Sequence, residues 1–203
     1  YDPIQSRAYR VASSFVFENI DPSLFSKRSY SKFPVKGLFD GQLKFAGSGH
    51  TLELAGEDLE GDLTITGRNG VLTAFELDSR SQLGLIGAGI LGQSLNRPGM
   101  TAMAQAVPYF KDMKFESFNL QLVRGKDKQV RIPELKLMGD NLSINGHGAI
   151  AAGNLGEILD QPLYLTLGLG AKGRLVDHLE TLQLLGTKTS EDGFRIWNQD
   201  IEI

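Results

Sequence analysis

Residues able to do chemistry are few in this chain and do not group. Gly87-Ala88-Gly89-Ile90-Leu91-Gly92 spells the G-x-G-x-x-G pattern of a dinucleotide-binding turn. That pattern needs a strand before it and a sustained helix after it, whose N-terminus meets the pyrophosphate. Here Pro98-Gly99 cuts the following helix short, and no parallel βαβ unit follows. The run is better read as a small-residue helix packed closely on a sheet. Glu57, Asp58, Glu60 and Asp62 form an acidic cluster, but their spacing matches no calcium loop and fits a solvated turn. His50, His147 and His178 lie far apart, with no pair at metal-ligand spacing. There is no G-x-S-x-G elbow, and Ser48 has no neighbouring base. With no cysteine, thiol catalysis, disulfides and Cys-bound zinc are excluded. The expectation is a protein that is not an enzyme, with no cofactor, catalytic residue or metal site.

Composition bounds the partners. A net charge of -3 over 203 residues gives no basic footprint for nucleic acid. The longest apolar run, Leu83 to Gly92, is about half the ~20 residues of a spanning helix, so no transmembrane span is expected here. The chain begins without Met and ends on Asp200-Ile201-Glu202-Ile203, which reads as a strand cut off. The expectation is a fragment truncated at both ends of a larger protein. The 24 glycines are spread along the chain and read as turn punctuation.

The elements that would position any site are strands. Residues 10–20 alternate, with Val11, Ser13, Phe15 and Phe17 on one face. Residues 26–36 are basic and irregular. In 37–46 Phe39, Leu43 and Phe45 alternate, and a Gly47-Ser48-Gly49-His50 loop would set Phe45 opposite Leu52 and Leu43 opposite Leu54. Leu63 and Ile65 lead into Arg68-Asn69-Gly70, read as a hairpin loop that sets Leu63 opposite Phe75 and Ile65 opposite Thr73. Leu83, Ile86, Ile90 and Leu91 recur at helical spacing, and a second short helix is expected over 100–107. Strand 112–124 changes phase between Phe115 and Phe118, and the next strand changes phase at Pro133. Paired bulges level with Ser117 and Leu135 would keep one apolar face.

A Gly139-Asp140 turn would set Leu137 opposite Leu142 and Leu135 opposite Ile144. Arg124-Gly125-Lys126-Asp127-Lys128 reads as a soluble charged hairpin tip. Leu163, Leu165, Leu167 and Leu169 share a strand face, Leu175, Leu179 and Leu182 mark a helix to about Leu185, and 194–203 return to strand. The fold class is α+β and β-rich: a long twisted antiparallel sheet with β-hairpins and two or three short helices packed on one face.

Segments 59–78 and 110–155 resemble the C-terminal region of the AsmA-like family of Gram-negative envelope proteins. The resemblance is carried by Leu59-Glu60-Gly61-Asp62-Leu63, Asn69-Gly70-Val71-Leu72, Phe75-Glu76-Leu77-Asp78, Phe115-Glu116-Ser117-Phe118 and the run from Leu135 to Gly148. Asn69 stands where the family commonly has an acidic residue. The resemblance divides the chain into 1–36, a poorly matched leading strand and linker, and 37–203, the AsmA-like region. It implies a periplasmic β-rich protein whose parent is tethered to the inner membrane, acting in phospholipid transport or outer-membrane homeostasis. The alternative is a structural scaffold for outer-membrane protein biogenesis that binds no lipid. The expected partners are phospholipid acyl chains or envelope proteins.

A one-sided apolar sheet can hold acyl chains, whose removal from water gains ~0.8 kcal/mol per methylene. The candidate lipid-face residues are Phe118, Leu120, Leu122, Leu135, Leu137, Leu142, Ile144, Leu163, Leu165, Leu167 and Leu169. The competing reading makes these an ordinary core, capped by helices at 83–107 and 175–185. Whether the face is open or covered decides between the two.

Overall fold

The structure is a computed structural model, and it describes residues 9–22, 35–73 and 97–202. Alternating sequence makes long strands here because each strand has one face to bury and one to hydrate. In chain order they are β1 (Tyr9–Ile20), β2 (Val35–Gly49), β3 (Glu60–Leu72), β4 (Met113–Arg124), β5 (Val130–Met138), β6 (Leu142–Ile150), β7 (Leu163–Ala171), β8 (Leu185–Thr189), β9 (Arg195–Trp197) and β10 (Ile201–Glu202). All ten belong to one antiparallel, open twisted sheet of order β1-β2-β3-β4-β5-β6-β7-β9-β8, with β10 also on β7. The leading strand β1 is thus an edge of the same sheet as the described strands β2–β10.

Among the described residues three α-helices accompany the sheet: α1 (Leu52–Glu57), α2 (Arg97–Lys111) and α3 (Arg174–Thr181). Thr51 starts α1, its Oγ1 accepting the Leu54 N–H at 3.1 Å. Leu175 and Leu179, one helical turn apart, are fully buried on α3. They meet Ala106 of α2 and Met113, Leu142, Leu169, Ala171 and Trp197 in the larger core cluster. A second cluster joins Phe39, Phe115 and Leu137, with Phe118 beside them. The Phe39 ring lies 5.9 Å from Phe115 and 5.8 Å from Phe118. Both clusters lie toward the α2/α3 end of the apolar side.

Several registers differ from the sequence expectation. Gly47–Gly49 stay in β2, and Leu52 and Leu54 lie on α1 rather than on a paired strand. Leu43 therefore pairs with Leu63, and Phe45 with Gly61. Arg68-Asn69-Gly70 is no hairpin loop: β3 runs through it, with Asn69 at φ +50 and an extra residue opposite Gly37 (φ +135) on β2. Gly37 explains the choice, since a left-handed bulge needs no loop when the facing strand supplies a compatible glycine. Phe75 and the proposed helix at 83–91, including Gly87–Gly92, lie outside the described residues. Helix α2 is longer than expected, because Pro98 and Gly99 fall in its first turn, where a missing N–H costs nothing.

The hairpin at 138–143 turns on Asp140-Asn141, with the Gly139 N–H on the Leu142 carbonyl at 3.0 Å. Leu137 then pairs with Ile144, and Leu135 with Gly146. The slip from the expected register is two residues, so the same face stays apolar. Gly139 is fixed by close approach: a Cβ there would sit 2.1 Å from the Lys114 carbonyl oxygen.

Both phase changes are absorbed, but not against each other. The irregularity between Phe115 and Phe118 is level with Asn69 on β3. The change in β5 is a bulge around Pro133 that shifts register against both β4 and β6. Ser117 pairs with Met138 and Leu135 with Leu120, so the two lie at different levels. Helix α3 ends at Thr181, and Gln183 at φ +58 turns the chain into β8.

Candidate functional site

The pairing builds one apolar surface from strands distant in sequence. In one transverse row Phe17 adjoins Gly41, then Ile65, Leu120, Leu135, Gly146 and Leu167. The next row runs Phe15, Leu43, Leu63 and Leu122, passes the Pro133 bulge, and reaches Leu165 beside Gly148. Seven strands at ~4.8 Å spacing make these rows about 30 Å long. The opposite face carries Lys44, Asp62, Thr64, Thr66, Asn119 and Lys136.

Burial along this surface is uneven. Toward α2 and α3, Leu137 (1 % exposed), Leu142 and Leu169 are core. Those three candidates are therefore structural, held under the helices and the Phe39/Phe115 cluster. Ile144, half-buried, packs on both clusters, and Phe118 on the smaller one. In the middle rows Leu120, Leu122, Leu135, Leu165 and Leu167 are only half-buried, while Ile132, opposite Gly148, is buried; Leu163, level with Arg124, is 44 % exposed. On β1 and β2, Phe15 stacks on Phe45 at 6.0 Å yet stays 55 % exposed.

The far end is covered again. Arg124 sits in the row with Gly61 and Val130 and is 8 % exposed. Its guanidinium donates to the carbonyls of Glu57, Leu59 and Gly153, tying the segment after α1 and the loop after β6 over the sheet. The result is a transverse trough, floored by half-buried leucines, walled along one long side by the α2/α3 cluster and, over β3–β5, along the other by the segments that Arg124 holds. The two readings in the sequence thus divide the face between them: the ends are core, and the middle is open among the described residues.

Glycines shape this floor. Gly41 lies beneath the Phe17 ring, 2.2 Å from where a Cβ would stand, and Gly67 lies beneath Phe39 at 2.5 Å. These glycines sit inside strands, so the expectation that glycine here only marks turns is corrected: large rings lie down where the floor has no side chain.

Sequence reading missed Arg124 as a buried anchor by placing it in the exposed hairpin tip. The signal was present, since Arg124 follows Leu120 and Leu122 at two-residue spacing and so shares their face. The tip proper carries Lys128 at φ +59 and an Asp127–Arg131 ion pair. Phe15, Leu43, Leu63 and Ile65 also belong to the trough and were missed because their partners come from β1–β4 pairing.

The polar face holds an open cleft of about 580 Å³ beside β1. Asp40 Oδ1 accepts the Asn19 N–H at 2.7 Å, and Arg68 donates to Asp40 Oδ2 at 2.6 Å and to the Asn19 side chain. The Asn19 N–H is the main cause holding the Asp40 carboxyl below its ordinary value; Arg68 adds to it. This network clamps the bulged end of β1, with Asn19 at φ +53, onto β2 and β3.

His50 and His147 are exposed, and His178 faces Tyr109 with ring centroids 6.4 Å apart. Among the described residues no group of His, Asp or Glu is arranged to hold a metal, and no helix is long and apolar enough to cross a membrane. Comparison of the chain with protein-family models, curated proteins and solved structures finds no match.

Proposed function

We propose that this protein is a non-enzymatic envelope module that takes phospholipid acyl chains along the open middle of its apolar face. The observation that carries the reading is the partial exposure of Leu120, Leu122, Leu135, Leu165 and Leu167 in two adjoining rows, flanked on the α2/α3 side by a buried core. So continuous an apolar strip, uncovered among the described residues, is the kind of surface that binds a partner or ligand. A trough with a hydrocarbon floor and no charged side chain between its ends suits a chain of methylenes better than a polar ligand. The resemblance to the AsmA-like C-terminal region supports the same reading. That resemblance implies a periplasmic protein of a Gram-negative bacterium, its parent tethered to the inner membrane, acting in phospholipid transport or outer-membrane homeostasis.

The competing function is a scaffold for outer-membrane protein biogenesis that binds no lipid. Mass spectrometry of organic extracts from the purified protein separates the two. The lipid reading expects copurifying phospholipid, lost in a folded Leu165→Glu or Leu120→Glu variant. A folded, lipid-free protein that also fails to take up phospholipid from vesicles overturns it and leaves the scaffold.

A further inference from the structure

The free edge of β1 has the composition of a strand that pairs with itself. Among the described residues β2 is the one strand hydrogen-bonded to β1, and none of them pairs with its other edge along Tyr9–Ile20. Natural edges are usually blunted by proline, lysine, an inward charge or a bulge. Between Tyr9 and Phe17 this edge has no proline, lysine or bulge, and its one charge is Arg10 on the polar face; the irregularity comes only after Phe17. It also exposes apolar side chains on both faces, with Phe15 at 55 % and Val16 at 65 %.

We propose that two copies of this chain join β1 to β1 antiparallel, about a two-fold axis that is perpendicular to the sheet and passes between the two Ser14 residues. Charge selects this register. Arg10 and Glu18 lie four residues either side of Ser14, on the same polar face. Centring on Ser14 sets Arg10 opposite Glu18 of the second copy, twice per dimer. It also sets Val11 opposite Phe17 and Ala12 opposite Val16, so both exposed apolar residues of the polar face find an apolar neighbour. Centring on Ser13 puts Arg10 against Val16, and centring on Phe15 puts Arg10 against Ile20 and Glu18 against Ala12. A centre between residues would place apolar faces on opposite sides. Directly opposed charges and apolar pairs are the units that stabilise antiparallel strands.

The geometry has a consequence for the trough. A two-fold axis perpendicular to the sheet leaves both apolar faces on the same side. The Phe15 row of one copy then meets the Ser13 level of the other, a displacement of about 7 Å. Two troughs become one continuous strip of roughly twice the length. The pairing itself does not rest on lipid binding, and its test reads association only.

The chain has no cysteine, which makes cross-linking clean. In the intact protein Ser14→Cys should form a disulfide-linked dimer on mild oxidation, because directly opposed residues stand within disulfide reach. Ala12→Cys alone should not, since the two copies of residue 12 would be about 13 Å apart. Ala12→Cys mixed with Val16→Cys should. In sedimentation equilibrium the unmodified protein should be a reversible dimer. Arg10→Glu or Glu18→Arg alone should weaken it about tenfold or more, and the double reversal should restore it. A monomer at every concentration, self-linking of Ala12→Cys as fast as Ser14→Cys, or charge-reversed single variants that associate as well as the double would overturn the proposal.

Discussion

Leu137→Ala and Leu165→Glu act on the same apolar face with opposite expected consequences. Leu137 is 1 % exposed and packed with Phe39 and Phe115. Truncation removes its transfer free energy and leaves a cavity, a loss of about 3 kcal/mol within the usual range for buried leucine. Leu165 lies in the open rows, opposite Gly148, and is already partly hydrated. Full burial of leucine is worth roughly 1.5–3 kcal/mol, so its partial burial puts about 1–2 kcal/mol of folding stability at stake there, less than at Leu137. Ligand binding reverses the order. A carboxylate in the trough keeps its water and displaces an acyl chain from about three methylenes of contact. At ~0.8 kcal/mol each, that is about 2.4 kcal/mol, or roughly fiftyfold in affinity. Urea unfolding at constant m-value measures the first quantity, and displacement of a fluorescent acyl probe measures the second. If Leu165→Glu destabilised the fold as much as Leu137→Ala, the middle rows would be a sealed core and the argument from exposure would fail. Probe affinity unchanged within twofold in a folded Leu165→Glu variant would refute the trough as the binding surface.

Arg124→Met should cost about 2–4 kcal/mol in urea unfolding: three carbonyls lose a charged donor, partly offset because a guanidinium no longer has to be dehydrated. Hydrogen exchange should rise in residues 57–59 and 153 before the rest of the sheet; a change under 0.5 kcal/mol would mean that the two segments are held by something else. Gly67→Ala should destabilise by about 1–3 kcal/mol, because its Cβ meets the buried Phe39 ring at 2.5 Å, and Phe39→Leu in the same chain should recover part of that loss. Asp40 has its folded pKa lowered, so its contribution is full above the ordinary value of 3.8 and is lost as pH falls through the lowered folded value. The stability difference between the unmodified protein and Asp40→Asn should therefore be constant at neutral pH and shrink only in acid; a difference that grows on acidification would show the sign to be wrong.

Two-residue alternation by itself determined most of the strands, the α+β antiparallel class and the identity of the apolar side, since side-chain direction in a strand depends only on parity. The slip at Asp140-Asn141 left that parity intact, which is why Leu135, Leu137, Leu142 and Ile144 share a face despite the wrong partners. Leu175 and Leu179 were equally legible, one helical turn apart on a short amphipathic helix. Tertiary structure decided the rest. Arg68-Asn69-Gly70 has the composition of a turn, but Gly37 on the neighbouring strand lets it remain a bulge, and no local reading can see that neighbour. The division of one leucine face into buried ends and an open middle depends on where α2, α3 and the Arg124-tethered segments come to rest. Periodicity tells which way a side chain points; only packing between distant segments tells whether anything lies on top of it.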